Sequence, residues 1–148
     1  MLLRTARSFA WLLALLCALA SARSRAAHTP AYRVIVHPKN PLGEIERDKL
    51  ADMFLKKRSH WPDGENVRPV DLPSSSDTRK SFSDEVLRRS VAAVKSYWQQ
   101  LIFSGRDIPP PELDSDVAVR DFVLSHPGGV GYVSGSAELG NAKAISVR

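Results

Sequence analysis

The chain has 148 residues, 43% of them hydrophobic and 25% charged, and its 21 basic and 16 acidic side chains give a formal net charge of +5. That length allows one domain of ordinary size. The basic residues are interspersed with acids rather than gathered between aromatic residues, which argues against a nucleic-acid partner. Cys17 is the only cysteine. Beyond it the chain can form no disulfide and offers no thiolate nucleophile or cysteine-ligated metal.

The first 22 residues have the pattern of a cleavable signal peptide. Arg4 and Arg7 provide a positive start, and residues 9–20 form an apolar run that is too short to span a bilayer as a helix. The run ends in the small residues Ala-Ser-Ala at 20–22, which suit a signal peptidase. We therefore expect an exported protein, periplasmic or secreted, with no membrane insertion after cleavage.

Strands and helices alternate behind the predicted signal peptide at 1–22. A short polar lead-in at 23–31 is expected to be disordered, and one domain follows at 32–148. The predicted elements, in chain order, are strands at 32–36 and 67–72 separated by a helix at 47–55, helices beginning near Thr78, Val91 and Asp114, and strands at 130–133 and 142–147. This alternation predicts an α/β fold, as a single three-layer-like domain with a mostly parallel sheet flanked by helices.

Two local features sharpen this prediction. Pro69 lies within the second strand, and proline cannot donate to a neighbouring strand, so this strand is expected at an edge or to be irregular. Ser90 is a good N-cap. After it, apolar residues recur with a helical period, which predicts an amphipathic helix whose inward positions are Val91, Val94, Trp98, Leu101 and Ile102.

Four segments in chain order carry a family resemblance. They are Leu-Ala-Asp-Met-Phe-Leu at 50–55 with Trp-Pro-Asp-Gly at 61–64, the strand, serine-rich loop and helix at 67–82, the aromatic stretch at 97–105, and Pro-Gly-Gly-Val-Gly-Tyr-Val at 127–133. Together they resemble the phosphate-type periplasmic substrate-binding proteins of ABC transporters. Members of that family have two lobes, and the segments here match one lobe only. The resemblance implies a binding module without catalytic residues, cofactor or metal, with phosphate or another small oxyanion as ligand and a transporter permease as partner.

The same resemblance implies a candidate oxyanion loop. In the family, a Ser-Gly-Thr triplet at a helix N-terminus contacts the oxyanion, and Ser76 and Thr78 match its outer positions. The candidate ligand-binding residues are Ser74, Ser75, Ser76, Thr78 and Arg79, whose hydroxyl, backbone N–H and guanidinium groups suit an anion. Asp77 stands at the glycine position. Its carboxylate would repel an anion, or cap the N–H groups that the anion needs.

Two alternatives stay open at this point. The loop Ser-Ser-Ser-Asp at 74–77 is also what an ordinary turn and helix cap look like. In that case the domain keeps the fold without the ligand and serves as an envelope protein-interaction module. A hydrolase assembled from Ser76, His60 and Asp71 has little support, because no Gly-x-Ser-x-Gly elbow is present.

Overall fold

The computed structural model describes residues 29–148, so the predicted signal peptide and most of the lead-in lie outside the described residues. The elements are β1 (Tyr32–Val36), β2 (Glu44–Ile45), α1 (Arg47–Phe54), β3 (Arg68–Pro69), α2 (Asp77–Phe82), α3 (Val91–Phe103), α4 (Asp116–Ser125), β4 (Gly129–Ser134) and β5 (Lys143–Val147). A π-helical segment, Ser83–Leu87, continues α2. All four predicted helices are present. The strand predicted at 67–72 is shorter than expected, and β2 was not predicted.

The five strands form one mixed sheet in the order β2-β5-β1-β4-β3. The central strand β1 is antiparallel to both β4 and β5, whereas the outer pairs β2–β5 and β3–β4 are parallel. The prediction of a mostly parallel sheet is therefore wrong. Alternating strands and helices do not fix strand direction, because the long loop after α1 lets the chain enter β3 in the direction opposite to β1.

The centre of the sheet is covered on both faces. Val34, Ile35 and Val36 in β1 are buried without interruption, and so are all residues of β4 from Gly129 to Val133. Successive residues of a strand point to opposite faces, so an unbroken buried run requires cover on each side. The outer strand β3 holds Pro69 at the edge of the sheet, as predicted.

Helix α4 lies close against β4. A Cβ placed on Gly131 would come within 2.6 Å of Val119 Cγ1 on the helix and 2.9 Å of Val70 Cγ1 beside β3. Only glycine leaves room for this approach, so the residue sets the distance between helix and sheet.

Helix α3 is amphipathic, although its buried stripe is narrower than predicted. Val94 and Trp98 are buried, in agreement with the prediction, whereas Ile102 is 48% exposed. Ser90 caps the helix as expected, because its Oγ accepts a hydrogen bond from the backbone N–H of Ala93 at 3.2 Å. Between residues 29 and 148, no helix has the length and hydrophobicity needed to cross a membrane.

Candidate functional site

The serine-rich loop ends in an ordinary helix cap. Ser74 and Ser75 are exposed in the turn, and Thr78 is half-buried in the first turn of α2. Ser76 is the N-cap residue, with its Oγ accepting a hydrogen bond from the backbone N–H of Arg79 at 3.3 Å. The serine hydroxyl thus already satisfies one of the backbone donors that the predicted anion site would use.

Asp77 lies just inside the helix and does not act as the cap. Its carboxylate is almost fully exposed and accepts a hydrogen bond from Lys80 Nζ at 2.8 Å, one helical turn further on. This hydrogen bond lowers the pKa of Asp77 below its ordinary value. The carboxylate therefore stays ionised at the N-terminal end of α2, where it repels an anion.

Arg79 turns inward from α2 and is buried with 5% exposure. Its Nη1 lies 3.0 Å from Asp71 Oδ2 and 3.1 Å from Glu112 Oε1, and it also donates to the carbonyl oxygen of Leu72. All three contacts use the same nitrogen. The Nε is buried and has no hydrogen-bond partner within the described part of the chain. The guanidinium is thus held by one of its three nitrogens.

Asp71 reaches this position because the chain after β3 pairs with a second segment. Its backbone N–H donates to the carbonyl of Pro111 at 2.9 Å, and its own carbonyl accepts from Leu113 N–H at 2.9 Å, so Glu112 lies alongside it. On the other side, the hydroxyl of Tyr132 in β4 donates to Asp71 Oδ1. One strand-like pairing and one tyrosine side chain therefore converge on a buried carboxylate.

Burial dominates the electrostatics of this carboxylate. It raises the pKa of Asp71 to about 6, although the neighbouring Arg79 guanidinium and the Tyr132 hydroxyl both act to lower it. The same burial, together with the Asp71 charge, raises the pKa of Tyr132 far above its ordinary value, so the phenol stays protonated. Stacking on Phe82, with ring centroids 3.9 Å apart, fixes the tyrosine ring.

A cavity of about 330 Å³ opens beside this group. Its polar lining includes Ser74, Arg79, Lys95 and the two carboxylates of Asp71 and Glu112. Its apolar lining includes Val91, Trp98, Ile102, Pro109 and Pro110. Two cations and two carboxylates line the cavity, so their formal charges cancel while Asp71 is ionised. A ligand here would contact both charged and hydrophobic side chains.

Sequence reasoning found only part of this arrangement. Of the five predicted residues, Ser74 and Arg79 line the cavity, while Ser75, Ser76 and Thr78 do not. Asp71, Lys95 and Glu112 were not predicted to take part in ligand binding. One signal was present for Asp71, since an acid between Val70 and Leu72 in a buried strand requires a partner.

Neither a metal site nor the trio of Ser76, His60 and Asp71 is present in the part of the chain that the structure describes. Between residues 29 and 148, no three His, Cys, Asp or Glu side chains gather as a metal site requires. His60 bonds through Nδ1 to Ser59 Oγ at 2.8 Å and pairs in an isolated bridge with Asn66. The serine that it contacts is therefore its neighbour in the chain rather than Ser76.

Comparison with known proteins finds the same fold in several solved structures. No protein-family model and no curated protein sequence matches the chain. Among solved structures, a protein of Clostridium perfringens described as a phosphate ABC transporter substrate-binding protein, with phosphate bound, matches with a TM-score of 0.62. The chain shares the substrate-binding-protein fold. The identity is 17% over 79% of this chain, so the match concerns the fold alone.

Two further structures support the same conclusion. An ABC-type phosphate transport receptor of Vibrio cholerae matches at 20% identity over 79% of this chain, with a TM-score of 0.60. PstS of Borrelia burgdorferi matches at 17% identity over 80%, with a TM-score of 0.58. The chain spans only 44%, 46% and 47% of the three matched structures. The resemblance predicted from the sequence is confirmed at the level of the fold, over a region consistent with one lobe.

Proposed function

We propose that this domain is an exported solute-binding lobe that takes phosphate or another small oxyanion in the cavity beside Ser74, in association with an ABC transporter permease. The observation that carries the proposal is that Ser74, Arg79 and Lys95 border one cavity, in a fold shared with a protein that holds phosphate. Hydroxyl, guanidinium and ammonium groups are the donors that such an anion requires.

The charges around the cavity make this binding weak near neutral pH. Glu112 and Asp71 both face Arg79 Nη1 at about 3 Å and compete with an incoming anion for it. Since the pKa of Asp71 is raised to about 6, acidification through that range removes one competing charge. Affinity for a small anion should therefore increase as the pH falls.

Titration calorimetry with sulfate tests the proposal, because sulfate keeps its charge over this pH range. Glu112→Gln removes a competing carboxylate that is half-exposed at the rim of the cavity. We expect sulfate to bind about fivefold more tightly to this variant, as solvent screens part of the effect. Asp114→Asn is the matched control, because it removes the same charge from an exposed residue outside the cavity. Lys95→Gln should weaken binding.

A second function, the envelope protein-interaction module, is favoured by the internal contacts of Arg79. The Arg79 guanidinium already has two carboxylates and a carbonyl as partners, so its charge is compensated without a bound anion. If neither the wild type nor Glu112→Gln binds sulfate or phosphate at acid pH, the oxyanion proposal fails and the interaction module becomes the better explanation of the fold.

A further inference from the structure

Exposed apolar side chains are concentrated at one place on the surface. Among residues 29–148, four large hydrophobic side chains are exposed, and three of them lie at the end of α3 and in the loop after it. They are Phe103, which is 90% exposed, Ile108 at 65% and Ile102 at 48%, and we call these three residues the apolar tip. Ile102 and Pro109 line one cavity, so the two segments of the tip lie side by side.

The backbone holds the tip in a defined shape. Gly105 ends α3 in the left-handed region, with a φ of 64°, and its N–H donates to the carbonyl of Ile102 at 3.0 Å. The N–H of Arg106 then donates to the carbonyl of Leu101 at 2.9 Å. These bonds close the end of the helix. The backbone of the tip is therefore already ordered in the free protein, so binding a partner costs little conformational entropy.

Basic side chains outnumber acidic ones around the tip, although Glu112 lies at the rim of the cavity that Ile102 lines. Arg106 lies within the loop and is exposed. Asp107 is the only acid between residues 102 and 108, and it is paired with Lys56 Nζ at 3.1 Å. Arg58 lines the same small cavity as Asp107. Before the tip, residues 86–101 contain three more basic side chains, Arg88, Arg89 and Lys95, of which Lys95 is nearest to the tip along α3, and no acid. A second copy of this chain would bring like charges together, whereas an anionic surface would be attracted.

We propose that the apolar tip docks this domain on an anionic lipid surface. Phe103 and Ile108 would enter the headgroup region, and the neighbouring cations would bind lipid phosphates. A side chain that is 90% exposed projects outward, so a rigid protein partner would need a matching pocket, whereas lipid adapts to a convex surface. This contact is peripheral. Ile102 also lines the proposed oxyanion cavity, whereas Phe103 and Ile108 do not.

Vesicle sedimentation tests the proposal with the chain 23–148, which contains every described strand, helix and core residue. Removal of residues 1–22 is essential, because their apolar run would bind lipid by itself. We expect binding to vesicles of equal parts phosphatidylglycerol and phosphatidylcholine, little binding to phosphatidylcholine alone, and release by salt. Phe103→Ser should lower the partition coefficient about tenfold or more. Arg106→Gln should lower it about fivefold.

Val117→Ser is the matched control, because it removes an exposed apolar side chain, 53% exposed, from a different helix. Its binding should equal that of the wild type, and thermal unfolding should show all variants folded. Three outcomes would overturn the proposal: no binding to anionic vesicles, equal loss in Phe103→Ser and Val117→Ser, or a Phe103-dependent dimer in sedimentation equilibrium without lipid. The last of these would assign the tip to a second copy of the chain.

Discussion

At the scale of single residues, the main feature is a buried acid whose charge is only partly compensated. Asp71 has one fully buried cation, Arg79, which it shares with Glu112, and one phenol donor, Tyr132. Desolvation outweighs these favourable contacts and raises the pKa of the carboxyl to about 6. A carboxylate of this kind costs the folded state free energy at neutral pH.

This imbalance predicts how stability depends on pH. As the pH falls through about 6, the folded protein binds a proton on Asp71, whereas the unfolded chain does so only near 3.8. The contribution of Asp71 to the free energy of unfolding is therefore largest below about pH 4 and is lost as the pH rises to 6. The change should be on the order of 3 kcal/mol, given the size of the pKa shift.

Urea unfolding of the wild type and Asp71→Asn between pH 4 and 7 measures this contribution as a difference. The asparagine variant removes the titration, so the other acids cancel in the comparison. We expect the wild type to lose stability relative to the variant between about pH 4 and 6 and to change little above that. A gain over the same range would mean that the Arg79 ion pair outweighs burial.

Some contacts of single residues could be predicted from the sequence, and others could not. The serine-rich loop and its cap were visible as a pattern of residue types, and Ser76 does begin α2. The direction of Arg79 was not visible, because it depends on the carbonyl of Leu72 and the carboxylate of Glu112, which the fold brings together. Local patterns predict local contacts, whereas the residues that line the cavity come from three separate parts of the chain.

At the scale of elements, caps and helix–sheet packing define where the helices lie. Ser76, Ser90 and Ser115 each accept a hydrogen bond from the backbone N–H three residues later. The beginnings of these helices could be predicted from the sequence, because an N-cap residue bonds to a residue only three positions away. The sequence did not predict that α3 projects outward beyond Trp98. Apolar spacing alone predicted that Ile102 is buried. In the structure the C-terminal end of α3 extends beyond the residues that pack on the core, and Ile102 is exposed there.

The contact between α4 and β4 allows a sharp test of packing. Gly131→Ala places a methyl group within 2.6 Å of Val119 Cγ1, so either the helix must shift or side chains must leave their rotamers. We expect a loss of about 1–3 kcal/mol in the free energy of unfolding. Gly43→Ala is the control, because no atom lies within 4 Å of the added carbon and its φ is not positive. Similar thermal midpoints for the two variants would contradict the proposed close approach.

At the scale of the whole molecule, the order of elements was predictable and the direction of the strands was not. Each helix has its own periodic signal, but a strand's direction depends on how the intervening loops turn. The structural matches cover less than half of each solved neighbour, as one lobe would.

The predicted export of the protein belongs to this scale as well. Because Arg4, Arg7 and the apolar run at 9–20 precede small residues at 20–22, we expect the mature chain to begin near Arg23. N-terminal sequencing of the protein recovered from the periplasm or medium measures this directly. An intact chain beginning at Met1 and confined to the cytosol would contradict both the signal peptide and the proposed location.

The central position of β1 has a consequence for how the chain acquires its structure during synthesis. Both partners of β1, at Gly129–Ser134 and Lys143–Val147, lie far beyond it in the chain and are made much later. The ribosome releases the first strand long before it can pair, and contacts so distant in sequence form slowly. The nascent chain therefore has no complete sheet until Val147 has been made. A protein that crosses a membrane as an extended thread would benefit from such a delay, because it stays unfolded until its last strands have emerged on the far side.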